Sequence, residues 1–218
     1  AFTPTGNETA IRLFRSVLDE VPDHAPALIG LAATTFQQLR YGALGCDHYA
    51  TVRDATERAL DLDPEAVLGH VLRARVALYH DRNLRAAADA FGEALALDRD
   101  HVDVLKEYVW LLVVTGHDAE ALDAIGRALE YDPLSVDLLC TRAEVLRYAD
   151  DAEGALATYR RAHALDLRYA RAIEGLASMH AALGNRDEAF RYLDLYRRHA
   201  PTGYWRFRVM GAIAAAFG

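Results

Sequence analysis

Cys46 and His48 stand two residues apart in the stretch LRYGALGCDHYAT, a thiol and an imidazole that could share a soft cation if a second pair of donors were present. None is: the other cysteine, Cys140, is 94 positions further on (140 minus 46), and neither belongs to a C-x-x-C pair. The acidic run DLDPE at 61–65 lacks the alternating ligands and the central glycine of a calcium loop, and it recurs along the chain as a helix-ending turn. His80 beside Asp81 sets an acid next to a base, yet nothing nearby in sequence supplies a nucleophile. The phosphate loop G-x-x-x-x-G-K-[ST], the elbow G-x-S-x-G and the zinc pair H-E-x-x-H do not occur, and the nine histidines are scattered without pairing. The expectation is therefore no enzyme, no metal and no cofactor within these residues.

Composition narrows the remaining classes. Of 218 residues 52% are hydrophobic, with 14 Gly and 6 Pro, which describes a folded chain with a sizeable core and no low-complexity region. No apolar run is long enough to cross a bilayer, so no membrane partner is expected. The formal net charge of −8 repels phosphates on average and argues against direct nucleic-acid binding. Lys106 is the only lysine among the basic residues. There is no signal-peptide pattern, which reads as cytoplasmic. Ala1 is not an initiator methionine and an apolar stretch stops abruptly at Gly218, so the chain reads as a piece of something longer.

The elements that would position any functional side chain come from a repeat. Similar turns end at Pro22, Pro64, Arg99, Pro133, Leu167 and Pro201, at spacings of 42, 35, 34, 34 and 34. Between them apolar residues recur at i, i+3, i+4 and i+7, as in Leu105, Tyr108, Val109 and Leu112, the period of amphipathic helix. Each period holds two helices. The 42-residue spacing exceeds 34 by eight, and the excess falls near Gly42 and Gly45, predicting a longer inter-helix loop or an extended hairpin with extra contacts from Tyr41, His48 or Tyr49.

A 34-residue helix–turn–helix with small residues at its eighth and twentieth positions and proline near its end resembles the tetratricopeptide repeat (TPR). In the unit RAIEGLASMHAALGNRDEAFRYLDLYRRHAP the resemblance puts Leu176 and Ala177 at the first packing point, Gly184 at the turn, and Ala189 and Leu193 in the second helix. Ala87, Ala121 and Ala155 take the twentieth position of the preceding units, with Phe91, Ile125 and Tyr159 one turn on. Arg99 and Leu167 replace the closing proline, and tryptophan is absent from the fourth position. The fold this implies is all-α: a right-handed α-solenoid of antiparallel helix pairs with about twelve helices. Read as one array, it comprises a half repeat at 6–22, repeats at 25–66, 67–101, 102–135, 136–169 and 170–203, and a terminal helix at 204–217. That helix would cap the core with Phe207, Met210 and Ile213, or be covered by sequence beyond it.

In this family the first helix of each hairpin lines the inner side of the superhelix. Carried over residue by residue, those slots fall on Ile29, Ala33, Phe36 and Gln37, then Leu72, Val76, Tyr79 and His80. The next units supply Asp103, Lys106, Trp110, Val113 and Val114, then Asp137, Cys140, Glu144, Arg147 and Tyr148, then Arg171, Glu174 and Ser178. The expected contacts for a protein or peptide partner are Phe36, Tyr79, Lys106, Trp110, Val113, Glu144, Arg147, Tyr148 and Arg171, with Trp110 foremost because tryptophan so often anchors an interface. A one-residue slip of register would make Trp110 a core residue instead. The family's carboxylate clamp is only partly matched: Lys106 and Arg171 fit, but Trp110 and Thr141 stand where its asparagines belong and Gly175 replaces its last basic residue. The resemblance thus implies a scaffold that holds a partner segment by another route. Its alternatives are the sensory or regulatory arm of a bacterial transcription regulator or cyclase, on ALYHDRNLRAAADAFGEALALD and EYDPLS, and a module that self-associates through its half repeats.

Overall fold

A computed structural model describes residues 4–40, 45, 48–199 and 205–217, and among these every regular element is a helix. The twelve are α1 (Pro4–Glu20), α2 (Ala25–Arg40), α3 (His48–Leu62), α4 (Val67–Tyr79), α5 (Leu84–Leu97), α6 (Val102–Val114), α7 (Asp118–Tyr131), α8 (Val136–Tyr148), α9 (Ala152–Leu165), α10 (Ala170–Ala182), α11 (Arg186–His199) and α12 (Trp205–Phe217). They form two compact units, Ala1–Glu107 and Tyr108–Gly218. In the first, α1 packs on α2, α2 pairs with α3, α3 meets α4, and α4 pairs with α5. In the second, α7 packs on α8, α8 pairs with α9, α10 pairs with α11, and α12 rests on α10 and α11.

Four of the hairpins share one turn. Arg82, Gly116, Asp150 and Gly184, each 34 residues after the last, all have left-handed backbone, with φ of +56°, +77°, +59° and +74°. Such a residue ends a helix by letting the next N–H reach back to an orphan carbonyl: His117 donates to Leu112, Asp151 to Leu146 and Asn185 to His180, each at 2.9 Å. Asn83 and Asp151 then cap the helices that follow, their side chains accepting the N–H of Ala86 at 3.0 Å and of Gly154 at 2.9 Å. The recurring acid of the inter-repeat turns has its own task. Asp63, Asp98 and Asp166 accept the N–H two residues on, from Glu65 at 3.2 Å, Asp100 at 3.2 Å and Arg168 at 2.8 Å.

The eight extra residues of the first complete period are distributed along its hairpin. Relative to α10 and α11 and their turn, α2 is three residues longer, the connection four and α3 one. Tyr41, Gly42 and Cys46 lie outside the described residues, as does the side chain of Phe207.

Packing follows the small positions. Ala87, Ala121, Ala155 and Ala189 are completely buried, and Phe91, Ile125 and Tyr159 fill the space beside them. The close approach extends to the next first helix: a Cβ on Gly175 would stand 2.2 Å from the Tyr159 ring, and one on Gly30 would stand 2.3 Å from the Phe14 ring. Gly175→Ala gains about 1 kcal/mol of helix propensity but forces a buried ring aside, at a cost of about 1–3 kcal/mol. We expect a net loss of up to about 2 kcal/mol in urea unfolding. Shrinking the ring with Tyr159→Leu in the same protein should remove most of the Gly175→Ala penalty, a non-additivity that two independent sites would not show.

Candidate functional site

Of the residues singled out for chemistry, His80 and Asp81 are engaged in structure. His80 stacks on Tyr49 with ring centres 4.3 Å apart, and Asp81 takes the Arg53 guanidinium at 2.7 Å. His70 is held from both sides, by Glu93 at 2.9 Å and the Pro64 carbonyl at 2.8 Å. Among the described residues no group of three His, Cys, Asp or Glu side chains could hold a metal ion, and no helix is long and apolar enough to cross a membrane.

Cys140 is fully buried, and burial pushes its thiol up to about 12, with Arg171 nearby opposing the shift. At pH 8 its thiolate fraction is about a thousandfold below that of a free cysteine. Iodoacetamide should accordingly leave the Cys140 peptide unmodified in the native protein over the hours in which it is alkylated in urea, as read by mass spectrometry. Fast native labelling would contradict this burial.

In unit 1 the expected contact Phe36 is a core residue, with no exposed surface. Tyr49 meets its ring edge-on at 6.1 Å, Tyr79 lies tilted at 6.0 Å, and the Arg75 guanidinium sits 5.3 Å from its centre. Leu72 and Val76, drawn from the same slots, are buried too. The correction has a simple cause: α3 and α4 both close over this side of α2, so its inner slot faces neighbouring helices and not solvent. Tyr79 remains half-buried at the rim of this cluster. Lys106 on α6 is partly exposed and lies 3.6 Å from Asp103 one turn earlier. Arg75 also forms an ion pair with Glu107, which is almost fully buried, and so ties α4 to α6.

A similar strut crosses unit 2. The Arg171 Nε donates to Glu144 at 3.0 Å and its Nη1 to Asp137 at 2.7 Å, while the Tyr169 hydroxyl donates to the same Asp137 oxygen at 3.0 Å. Desolvation works against the guanidinium charge, but Glu144 and Asp137 more than offset it, and the arginine pKa is raised. Glu144 and Arg171 were expected to meet a partner; they hold α8 to α10 instead, because residues 27 apart in sequence come face to face across two neighbouring first helices. Cys140 and Glu174, assigned to the same side, are likewise buried.

Among the expected contacts of unit 2, an aromatic ring and a cation remain accessible. Tyr148 is 51% exposed at the end of α8, with the Arg147 guanidinium 4.4 Å over its ring. Trp110 and Val113 are half-buried and Val114 is exposed, all on the part of α6 that belongs to this unit. Register reasoning missed the struts because their ends lie in different repeats; the alternating charges at Asp137, Glu144 and Arg171 were the one available signal.

No known family model matches this chain, and no curated protein matches it either. Solved structures do. A thermophilic TPR protein from Thermus thermophilus, TTC0263, superposes with a TM-score of 0.72 at 20% identity over 88% of this chain and 100% of its own. YrrB, described as a TPR protein with an unusual peptide-binding site, superposes at 0.54 with 19% identity, over 91% and 97%. The human IFIT1 dimer with PPP-AAAA reaches 0.81 at 17% identity, this chain spanning half of it. Identities this low carry the fold alone.

Proposed function

We propose that this chain, whose fold is that of tetratricopeptide repeat proteins, is an interaction module that holds a peptide or helix of a partner protein against its first-helix faces. The observation that carries this reading is Tyr148: a large aromatic side chain left half in solvent, with a guanidinium stacked on it. Aromatic and arginine side chains are those whose removal most often costs an interface its affinity. Trp110, Val113 and Arg147 stand with it in unit 2, and Tyr79 and Lys106 are the corresponding candidates of unit 1. In unit 2 that set fits a segment with apolar anchors beside a carboxylate, the anchors seated on the rings and the acid on Arg147. The peptide-binding site named for YrrB supports the general role without specifying residues.

The test is selection of binding peptides from a random 12-mer display library, with affinities then measured by fluorescence polarisation. Tyr148→Ala and Trp110→Ala should each weaken the selected peptide by at least about tenfold, the range of an interface anchor, at unchanged helicity. Equal affinities for wild type and both variants would sink the reading.

A further inference from the structure

Two of the histidines that lie scattered along the sequence are brought to one ring by the fold. His180, near the end of α10, is 4% exposed and lies parallel to Tyr192 of α11, with 12° between the planes and 5.6 Å between the centres. His163 of α9 meets the same ring edge-on at 5.8 Å. Neither position is histidine elsewhere in the array. At 34-residue intervals His180 follows Leu78, Leu112 and Leu146, all of them buried, and His163 follows Leu95 and Leu129. Tyr192 in turn follows Ala90, Ala124 and Thr158. Slots that earlier repeats fill with leucine and small side chains are filled here, between α9, α10 and α11, by two imidazoles and a phenol ring.

Neither ring is placed to receive a second proton. The Asn185 amide nitrogen, a donor, approaches Nδ1 of His180 at 3.5 Å, and Nδ1 of His163 is buried with no hydrogen-bond partner among the described residues. The N–H that protonation adds would meet a donor in one case and no acceptor in the other. The surrounding charges act in the same direction. Burial lowers the pKa of both rings, and two arginines add to it: Arg160 of α9 acts on His180, and Arg191, 4.6 Å over the Tyr192 ring, acts on both. Asp166, just after α9, opposes the shift of His163, and Glu188 of α11 opposes that of His180, without reversing either. Glu188 is itself paired with Arg191. On α8, which also packs on α9 and α10, Asp137 and Glu144 are held by Arg171, Arg147 lies over Tyr148 and Arg142 reaches towards Gly126. The described side chains of α12, residues 210–217, are uncharged. We propose that His163, His180 and Tyr192 form an acid-sensitive latch: neutral imidazoles let α9, α10 and α11 close on the one ring, and protonation of either histidine loosens that junction. Above about 6.5, the ordinary imidazole value, few of these protons are bound in either state and the latch holds at full strength. As pH falls through that value the unfolded chain takes up protons that the folded chain resists, so stability drops, and it levels off only below the depressed values of the folded protein.

NMR titration of the histidine ring protons in the full chain, assigned with His163→Leu and His180→Leu, is the direct test. Both midpoints should lie below about 6.5. Arg191→Gln should raise both of them, and Arg160→Gln that of His180 alone. A midpoint at or above the ordinary value for either ring would overturn the latch. Urea unfolding at about pH 7.5 and about pH 5.5, on either side of the imidazole range, is the second measurement. The double variant His163→Leu with His180→Leu carries the side chains of the earlier repeats, and on acidification its urea midpoint should fall by less than half the wild-type amount. A fall of half or more would overturn the proposal, because the acid sensitivity would then come from other groups. The titration decides the matter even if the double variant folds poorly. Neither measurement involves Tyr148 or a bound peptide, so failure here is distinct from failure of the binding reading.

Discussion

Arg171→Ala is expected to lower the stability of unit 2 by about 3–5 kcal/mol, the cost of breaking a buried ion pair by removing one partner. The larger part comes from Glu144, whose side chain is only 9% exposed and whose bond to Arg171 Nε would be left unmade. The arm to Asp137 adds less, because that carboxylate is 38% exposed and can recover water. Urea unfolding of the isolated variant, followed by hydrogen exchange at α8 and α10, measures the effect. A loss under about 1 kcal/mol would show that the strut is solvated. Replacing both ends with apolar groups, Arg171→Met with Glu144→Leu, should restore most of the stability, because no buried charge is then stranded and Asp137 can recover water. That recovery would also separate a strut from a partner contact: the double variant should still bind the selected peptide.

Phe36→Ala should cost a similar amount, about 3–5 kcal/mol, for a different reason. Its ring fills the centre of a cluster with Leu28, Ala32, Val52, Ala55, Leu72 and Val76, and truncation leaves a cavity these side chains only partly collapse into. The ring also orders what surrounds it. Tyr49, from the hairpin that carries the eight extra residues, and Tyr79 both rest on it, and His80 stacks on Tyr49 in turn. Phe36→Leu, which keeps most of the volume, should cost less than about 1.5 kcal/mol and leave peptide affinity at the wild-type value. A Phe36→Leu protein of unchanged stability with weakened binding would return this residue to the partner surface.

These two residues mark how much could be read along the chain. A helix buries one stripe, so its apolar residues announce it locally, and the 34-residue recurrence of turn and alanine announced how the helices pair. Gly184 was recognisable as a turn residue; Arg82 and Asp150 adopt the same left-handed backbone without being glycine, so only spacing connected them to it. Phe36, Glu144 and Arg171 were assigned to an accessible face by register, and the direction each points along its helix is not at fault. Register cannot tell whether a neighbouring helix covers that direction. Gly175 could be noticed only as a missing basic residue until the Tyr159 ring appeared against it.

By itself the sequence determined that this protein is a series of paired helices, where each turns, and which small residues let them approach, because those properties depend on periodicity within a few turns of one chain segment. The tertiary structure decided which inner-face side chains meet solvent and which meet one another. That outcome depends on residues such as Glu144 and Arg171, far apart in sequence, being brought within 3.0 Å. A charge or ring so enclosed must be satisfied inside the fold, whereas the ring of Tyr148 stays half in solvent.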